Sequence, residues 1–416
     1  MPPTSLKVLV VPFGAAGDVH PLVGLGRALR ERGHEVTVVT HGWFEPLVRR
    51  AGLGFLGYAS ADEFLALTEV PGTANVVKAF RVMVEHAILP LVPRLFALLR
   101  DAHEPGRTVV VAQPLAFAAR IAREKLGVPL ATVHLHPFFL RSVYDPLLFP
   151  AHAPRALKRL AHRAIDALVD RHVGRALNAF RGGLGLAPVR RVALDWWNSP
   201  ELVLALFPEW LARRQPDWPP QTVQAGFVLW DAGEAAGVSA ELDRFLDAGD
   251  PPVVFAAPSW MRHARPFFEG AVEACRLSGR RGILLTRFPE QLPARLPDGV
   301  RHFDFVPYRA LLPRAAALAH HGGMGNLAFA LAAGIPQLVS PIHLDHPHNA
   351  ALLLELGVAA RLAPRAWRPA VVARALDDLL GSPRVAERCR SLAKQVDPAG
   401  ALANACSRIE ALARDG

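Results

Sequence analysis

Cysteine is scarce. Only Cys275, Cys389 and Cys406 occur in 416 residues, an odd set without metal-ligand spacing, which argues against a disulfide framework and against a cysteine-held metal. A reducing cytoplasm is the compartment this predicts. Also missing is any run of about 20 apolar residues free of charge, so no membrane-spanning helix is expected. Residues 1–17 lack the basic start, long apolar block and cleavage site of a signal peptide, and their apolar residues read as a strand. Neither short-period repeats nor low-complexity tracts occur. Acidic residues are the minority charge: 37 Asp+Glu face 47 Lys+Arg, a formal balance of +10. No recognised nucleic-acid-binding module accompanies that excess, so a nucleic-acid partner is not expected.

The positive charge is uneven. Residues 151–191 carry nine basic side chains against Asp166 and Asp170. Within them Leu157, Leu160, Ala161, Ala164, Leu168 and Val169 recur at helical spacing, which predicts a basic amphipathic helix in the region 155–181. Such a helix offers peripheral contact with an anionic membrane surface, here the inner membrane face. The ordinary alternative is a packed helix with a solvated arginine face.

What is present is a long strand and helix alternation. At 51% hydrophobic content the chain can bury two cores, each of about 200 residues. LKVLVVPFG, HEVTVVT, TVVVAQP, LATVHLH and ELVLALFP read as strands, with helices in LVGLGRALRERG and over 115–126, which makes the first half a doubly wound α/β sheet. A Pro- and Trp-bearing passage over 216–230 and the polar stretch 231–240 mark a linker. PPVVFAAPSW, RGILLTR, VRHFDFVPY, AALAHHGG and PQLVSP then repeat the pattern. The expected domains are 1–230 and 231–400, with a last helix over 401–416 that analogy, not periodicity, assigns to the first domain. Two such domains facing each other make a cleft that excludes water.

The most informative stretch is HHGGMGN, beginning at His320. Gly322, Gly323 and Gly325 let the backbone approach a ligand, and the helix that follows aims unpaired N–H groups at it. With the positive end of the helix dipole, that geometry suits a diphosphate. The apolar run IPQLVSP then delivers His343, Asp345, His346 and Asn349 to the edge of the sheet where ligands bind in open α/β folds.

HHGGMG, GIPQLVSP and HLDHPHNA resemble the donor-binding signature of family 1 glycosyltransferases, inverting nucleotide-sugar enzymes of the GT-B fold, and the similarity runs over essentially the whole chain. NSPELVLALFPEWLARRQPDWPPQ is most similar to bacterial rhamnosyltransferases of the rhamnolipid kind. The resemblance implies two Rossmann-like domains and a glycosyl transfer from a dTDP- or UDP-sugar to a hydroxyl of a hydrophobic acceptor, a hydroxyacyl lipid or natural product. It implies no cofactor, the nucleotide-sugar being a co-substrate. No Asp-x-Asp triplet exists to hold a divalent metal, so metal independence is expected.

Carried over residue by residue, the resemblance gives each part of the chemistry a candidate. In GAAGDVHP, Asp18 stands where many relatives have a catalytic histidine, and bacterial GDVxP relatives use the aspartate as base. An ordinary aspartate is a weak base, with a pKa near 3.9, and His20 two residues on competes for the role at about 6.5. A structural alternative makes Asp18 an N-cap for a helix begun by Pro21. His321, with Gly323, Gly325 and Asn326, matches the diphosphate site, Asn326 standing where relatives carry Ser or Thr. Ser259 matches a phosphate-contacting serine, although Pro258 replaces the preceding glycine. Phe305 replaces a tryptophan that stacks on the base, Val306 follows with the reading backbone amide, and Tyr308 replaces a glutamine. Asp345 matches the acid that grips sugar hydroxyls, and His346 replaces its glutamine partner. For the acceptor, His86, His134, Phe138 and Phe139 are the candidates, with Leu89, Leu91, Leu95, Phe96 and Phe149 as apolar lining. Two rivals remain, a nucleotide-sugar epimerase using His343 and His346, and a non-catalytic nucleotide-sugar-binding module.

Overall fold

The computed structural model describes residues 5–68, 84–145, 153–231, 239–259, 261, 263–342 and 345–415. It divides into two compact units. One comprises Met1–Gly14, Asp18–Val228 and Pro398–Gly416, and the other Leu229–Asp397 with Ala15–Gly17.

The first unit is built on seven parallel strands. In chain order they are β1 (Lys7–Val11), β2 (Glu35–His41), β3 (Gly54–Ala59), β4 (Thr108–Ala112), β5 (Leu130–His134), β6 (Leu202–Ala205) and β7 (Thr222–Gln224). They lie side by side in the order 3-2-1-4-5-6-7. β4, TVVVA, is buried at every residue, the mark of a strand covered by helices on both faces. Beneath it Leu99, Ile121 and Phe117 pack with Trp196 and Trp197. β3 and β7 were not among the expected strands: GFLGYA and TVQ are short and lack a clean apolar pattern.

The second unit has six parallel strands, β8 (Val253–Ala256), β9 (Gly282–Leu285), β10 (Val300–Phe303), β11 (Ala317–His320), β12 (Gln337–Val339) and β13 (Ala359–Arg361). Their order is 10-9-8-11-12-13, so both sheets share the 3-2-1-4-5-6 Rossmann arrangement. Phe255 and Phe268 are wholly enclosed at its centre, each contributing about 1.5–3 kcal/mol by burial. In both units the strand order reverses direction between the first and fourth strands, β1 and β4 in one sheet and β8 and β11 in the other. Side chains at the C-terminal ends of those pairs occupy the switch point of the fold.

The last helix, Pro398–Asp415, packs within the first unit. Glu410 secures it, accepting Nε and Nη2 of Arg32 at 2.6 and 2.7 Å, with the His34 ring at 3.0 Å. The Arg32 hydrogen bonds hold the Glu410 carboxyl down to about 2, against an opposing effect of burial. A depressed carboxylate stabilises the fold above its unfolded value near 4.3, and that contribution disappears as pH falls towards 2. Glu410→Gln is therefore expected to cost about 2 kcal/mol at pH 7. In thermal melts across pH the gap from the parent should close below about pH 3; a gap independent of pH would refute the assignment.

The helix Arg155–Val169 is amphipathic as its spacing predicts, but its orientation is the reverse of an ordinary packed helix. Lys158, His162 and Asp166 are buried, and Leu157, Leu160, Ile165 and Leu168 are exposed. Among the described residues no helix is long and apolar enough to cross a membrane.

Candidate active site

At the switch point of the first unit, β1 runs through Pro12 and Phe13 into Gly14, and the helix Ala16–Glu31 follows. Gly14 has φ +134°, and a Cβ there would lie 2.2 Å from Oδ2 of Asp18, so only glycine lets that carboxylate fold back over the turn. Gln113, just after β4, orients it. Its Oε1 accepts the Phe13 N–H at 2.6 Å, which turns Nε2 towards Oδ1 of Asp18 at 3.4 Å. His136, two residues beyond β5, brings Nε2 to 3.7 Å from the same oxygen. Asp18 thus meets a planar amide and an imidazole and keeps 28% of its side chain exposed.

Two expectations for this turn change. Asp18 is not an N-cap, since the helix begins at Ala16 and Pro21 lies inside it. His20 is half-buried on the same helix, where two residues of rotation turn it about 200° from Asp18. The histidine beside the carboxylate is instead His136, which no motif in the sequence singles out. Its signal is the spacing in VHLHPFF, where His134 ends the strand and the next histidine starts the loop.

His134 itself is 1% exposed and hydrogen-bonded through Nε2 to Asn198 Oδ1 at 2.7 Å; burial pushes it down to about 4. That corrects its placement as an acceptor-lining residue: it is part of the interior. Leu91, Leu95 and Phe96 are core residues as well. Phe138 and Phe139 are half-buried, and Phe139 sets its edge on His136 at 5.8 Å and on Trp197 at 6.0 Å. His86 is exposed, on the short helical turn Val84–Ile88. Phe149 and His343 lie outside the described residues.

The second unit's switch point carries the glycine turn. His320 ends β11, fully enclosed, and its Nδ1 accepts the Gly322 N–H at 3.1 Å. The remaining proton therefore sits on Nε2, which donates to Gln337 Oε1 at 2.9 Å. Burial holds this ring down to about 4, so it stays neutral and shapes the turn. Gly322 has φ +98°, and a Cβ would crowd the His346 carbonyl at 3.1 Å and Val339 at 3.2 Å.

Gly323 caps the helix Met324–Ala333 with no side-chain hydrogen bond, so that helix start offers bare amides. His321 lies over it: a Cβ on Gly323 would sit 2.6 Å from His321 Nε2. Burial, helped by the imidazoles of His346 and His320, holds His321 well below its ordinary range, and the ring is neutral at pH 7. It packs edge-to-face with the His346 ring, the centroids 4.7 Å apart. Gly325 and Asn326 continue the first helical turn, both half-buried.

Asp345 precedes the helix His346–Glu355 and is 8% exposed. The amide of Asn349, wholly buried, donates to Asp345 Oδ2 at 2.7 Å and to the Gly322 carbonyl at 2.9 Å. Asn349 therefore ties the acid to the glycine turn. Ser259 is exposed three residues beyond β8, and Phe305 is 45% exposed after β10 with the Arg287 guanidinium 5.5 Å from its ring. Val306 is buried, and Tyr308 packs inward against Phe329. Among the described residues no cluster of His, Cys, Asp or Glu could hold a metal ion.

Gly322→Ala should destabilise the second unit by about 1–3 kcal/mol, because alanine must adopt positive φ against a backbone oxygen. Nucleotide affinity measured by calorimetry should fall with it. Unchanged stability and affinity would show that the turn does not need this conformation.

Comparison with known proteins places the chain. Residues 8–145 match the glycosyltransferase family 28 N-terminal domain, and residues 283–411 match the erythromycin biosynthesis protein CIII-like C-terminal domain. The O-mycaminosyltylonolide 6-deoxyallosyltransferase of Streptomyces fradiae is 32% identical over 418 residues, covering 97% of both chains. The crystal structure of the kitacinnamycin glycosyltransferase superposes with a TM-score of 0.75 at 24% identity over 99% of each chain. The spinosyn rhamnosyltransferase SpnG complexed with thymidine diphosphate gives 0.67 at 19% identity, over 97% of this chain and 100% of that one. With matching family models at both ends and a relative spanning nearly its full length, the chain belongs to the GT-B glycosyltransferases.

Proposed function

We propose that the protein transfers a deoxyhexosyl or hexosyl group, with inversion, from a dTDP- or UDP-sugar to a hydroxyl of a hydrophobic natural product or hydroxyacyl lipid. The observation that carries this reading is the uncapped helix start behind Gly322 and Gly323, with a neutral His321 laid across it. It supplies N–H donors and positive potential to a departing diphosphate without a metal.

In the step itself, the acceptor oxygen bonds to the anomeric carbon as that carbon's bond to the diphosphate oxygen breaks. The hydroxyl proton passes to Asp18, and the nucleoside diphosphate leaves with the electron pair. Phe305, flat and exposed, suits a nucleobase. Ser259 and Asn326 are polar donors for the phosphates, and the Asp345 carboxylate, with His346 beside it, accepts from the sugar hydroxyls. Phe138 and Phe139 give the acceptor an apolar wall beside Asp18. The relative from Streptomyces fradiae is named for a 6-deoxyallosyl group and O-mycaminosyltylonolide, and SpnG was solved with thymidine diphosphate, which together support a dTDP-deoxysugar and a natural-product alcohol over a fatty hydroxyl.

The test is incubation with dTDP-rhamnose or UDP-glucose and a panel of lipid and polyketide alcohols, following nucleoside diphosphate release with and without EDTA. Acceptor-dependent release that survives EDTA is expected. A changed sugar without release would establish epimerisation instead, and donor affinity without release a binding module.

A further inference from the structure

The helix Arg155–Val169 is mounted with its polar side inward. Lys158, His162 and Asp166, four residues apart and so stacked on one face, are 5%, 6% and 5% exposed. On the outer side Leu157 and Leu160 are 57% and 61% exposed, Ile165 42% and Leu168 36%. These are four of the ten large hydrophobic residues exposed among the described residues, gathered on one helix.

Polar anchors fix this orientation. Arg141 ion-pairs with the buried Asp166, and the Arg155 guanidinium sits 4.6 Å above the Tyr144 ring. The strip beneath is held in turn by Asp217, which accepts from the Ser142 hydroxyl and from the Val143 N–H at 2.9 Å. Burial, with the Arg141 charge added, pushes His162 below its ordinary value, so this face holds a neutral ring against the ion pair. Rolling the helix to bury its leucines would break that pair and expose its partners.

The charge around the stripe has one sign. Arg159, Arg163, Arg171 and Arg175 are exposed. Of the acids, Asp166 is buried, Asp170 accepts the backbone N–H groups of Arg191 and Val192 at 2.7 and 3.0 Å, and Asp195 pairs with Arg191 at 3.0 Å. An apolar ridge bordered by arginines complements a surface that is anionic outside and hydrocarbon beneath. We propose that this face docks the enzyme on an anionic bilayer, its leucines among the upper acyl chains and Arg159 and Arg163 among the lipid phosphates. The proposal does not depend on which sugar or acceptor is used, because its readout is binding and not turnover.

The test is flotation of the full chain with phosphatidylcholine vesicles made with and without phosphatidylglycerol. Binding is expected only with the anionic lipid and should weaken as salt is raised. Leu157→Ser combined with Leu160→Ser should lower vesicle affinity roughly tenfold or more. Arg159→Gln and Arg163→Gln should each lower it about fivefold. Thermal melts and diphosphate release with a water-soluble acceptor check that the variants are folded. The proposal is overturned if the parent floats with no vesicle, if it binds neutral vesicles equally well, or if the leucine variant binds undiminished. It is also overturned if the parent is a dimer that the leucine variant dissolves while neither binds vesicles, which would make the ridge a self-association face.

Discussion

If Asp18 is the base as proposed, Asp18→Asn is expected to slow turnover by about 10²- to 10⁴-fold, the usual contribution of a positioned general base, with dTDP affinity equal to the parent's. Asparagine keeps the shape of the side chain and leaves an oxygen to accept from Gln113 Nε2, which reaches the native carboxylate at 3.4 Å. Gly14 still accommodates it, so the local fold is preserved. What disappears is the capacity to take the acceptor proton. The loss therefore appears in kcat and in kcat/KM together, the pattern of an interaction made in the transition state. Turnover within tenfold of the parent would remove Asp18 from the chemistry. His136 is the group to examine next in that event, since its Nε2 stands 3.7 Å from the same carboxylate.

Glu124→Ala is expected to destabilise the first unit by about 3–5 kcal/mol, the cost of leaving buried charge without its counter-charge. Glu124 faces Arg120 at 2.8 Å and Arg181 at 2.5 Å, and accepts the Trp196 indole N–H at 2.8 Å. The Arg181 side chain is only 4% exposed and Arg120 14%. Burial already lowers the Arg120 value, with Glu124 as the chief opposing influence. Alanine leaves Arg181 with the Ala187 carbonyl, and Arg120 with the Trp196 and Asn198 carbonyls and the weaker influence of Glu201. Calorimetric melting should show a fall on the order of 6–20 °C, at about 2–4 °C per kcal/mol for a domain of this size. Glu124→Gln, which retains an acceptor, should lose less. A fall under about 2 °C for alanine would mean that solvent reaches these arginines in the variant.

Much of the architecture is legible in the sequence because parallel strands covered on both faces read as unbroken apolar runs, as TVVVA and VVFA do. The short edge strands β3, β7 and β13 escape that reading, since exposed edges need no apolar pattern. The glycine turn is legible too, through the chemistry of HHGG, but what orders it is not. Gln337 and Asn349 act on His320 and Gly322 across 17 and 27 residues of chain, and no local pattern announces such pairs. His136 is hidden for a related reason: LATVHLH reads as strand to its last residue, yet β5 ends at His134, and where the loop then carries the next side chain depends on tertiary packing. The helix at Arg155–Val169 shows a further limit. Helical spacing separates a polar from an apolar face, yet which one turns inward was decided by Arg141 and Asp217, both remote in sequence.

One side-chain amide links two tasks in the second unit. Asn349 grips the Gly322 carbonyl and the Asp345 carboxylate with the two hydrogens of a single nitrogen. If Asp345 grips the sugar as proposed, a designer who swaps it to admit a different one will also slacken the glycine turn, and the two properties will drift together through any mutant library. Broadening the donor range therefore calls for compensating changes at 349 made in the same step.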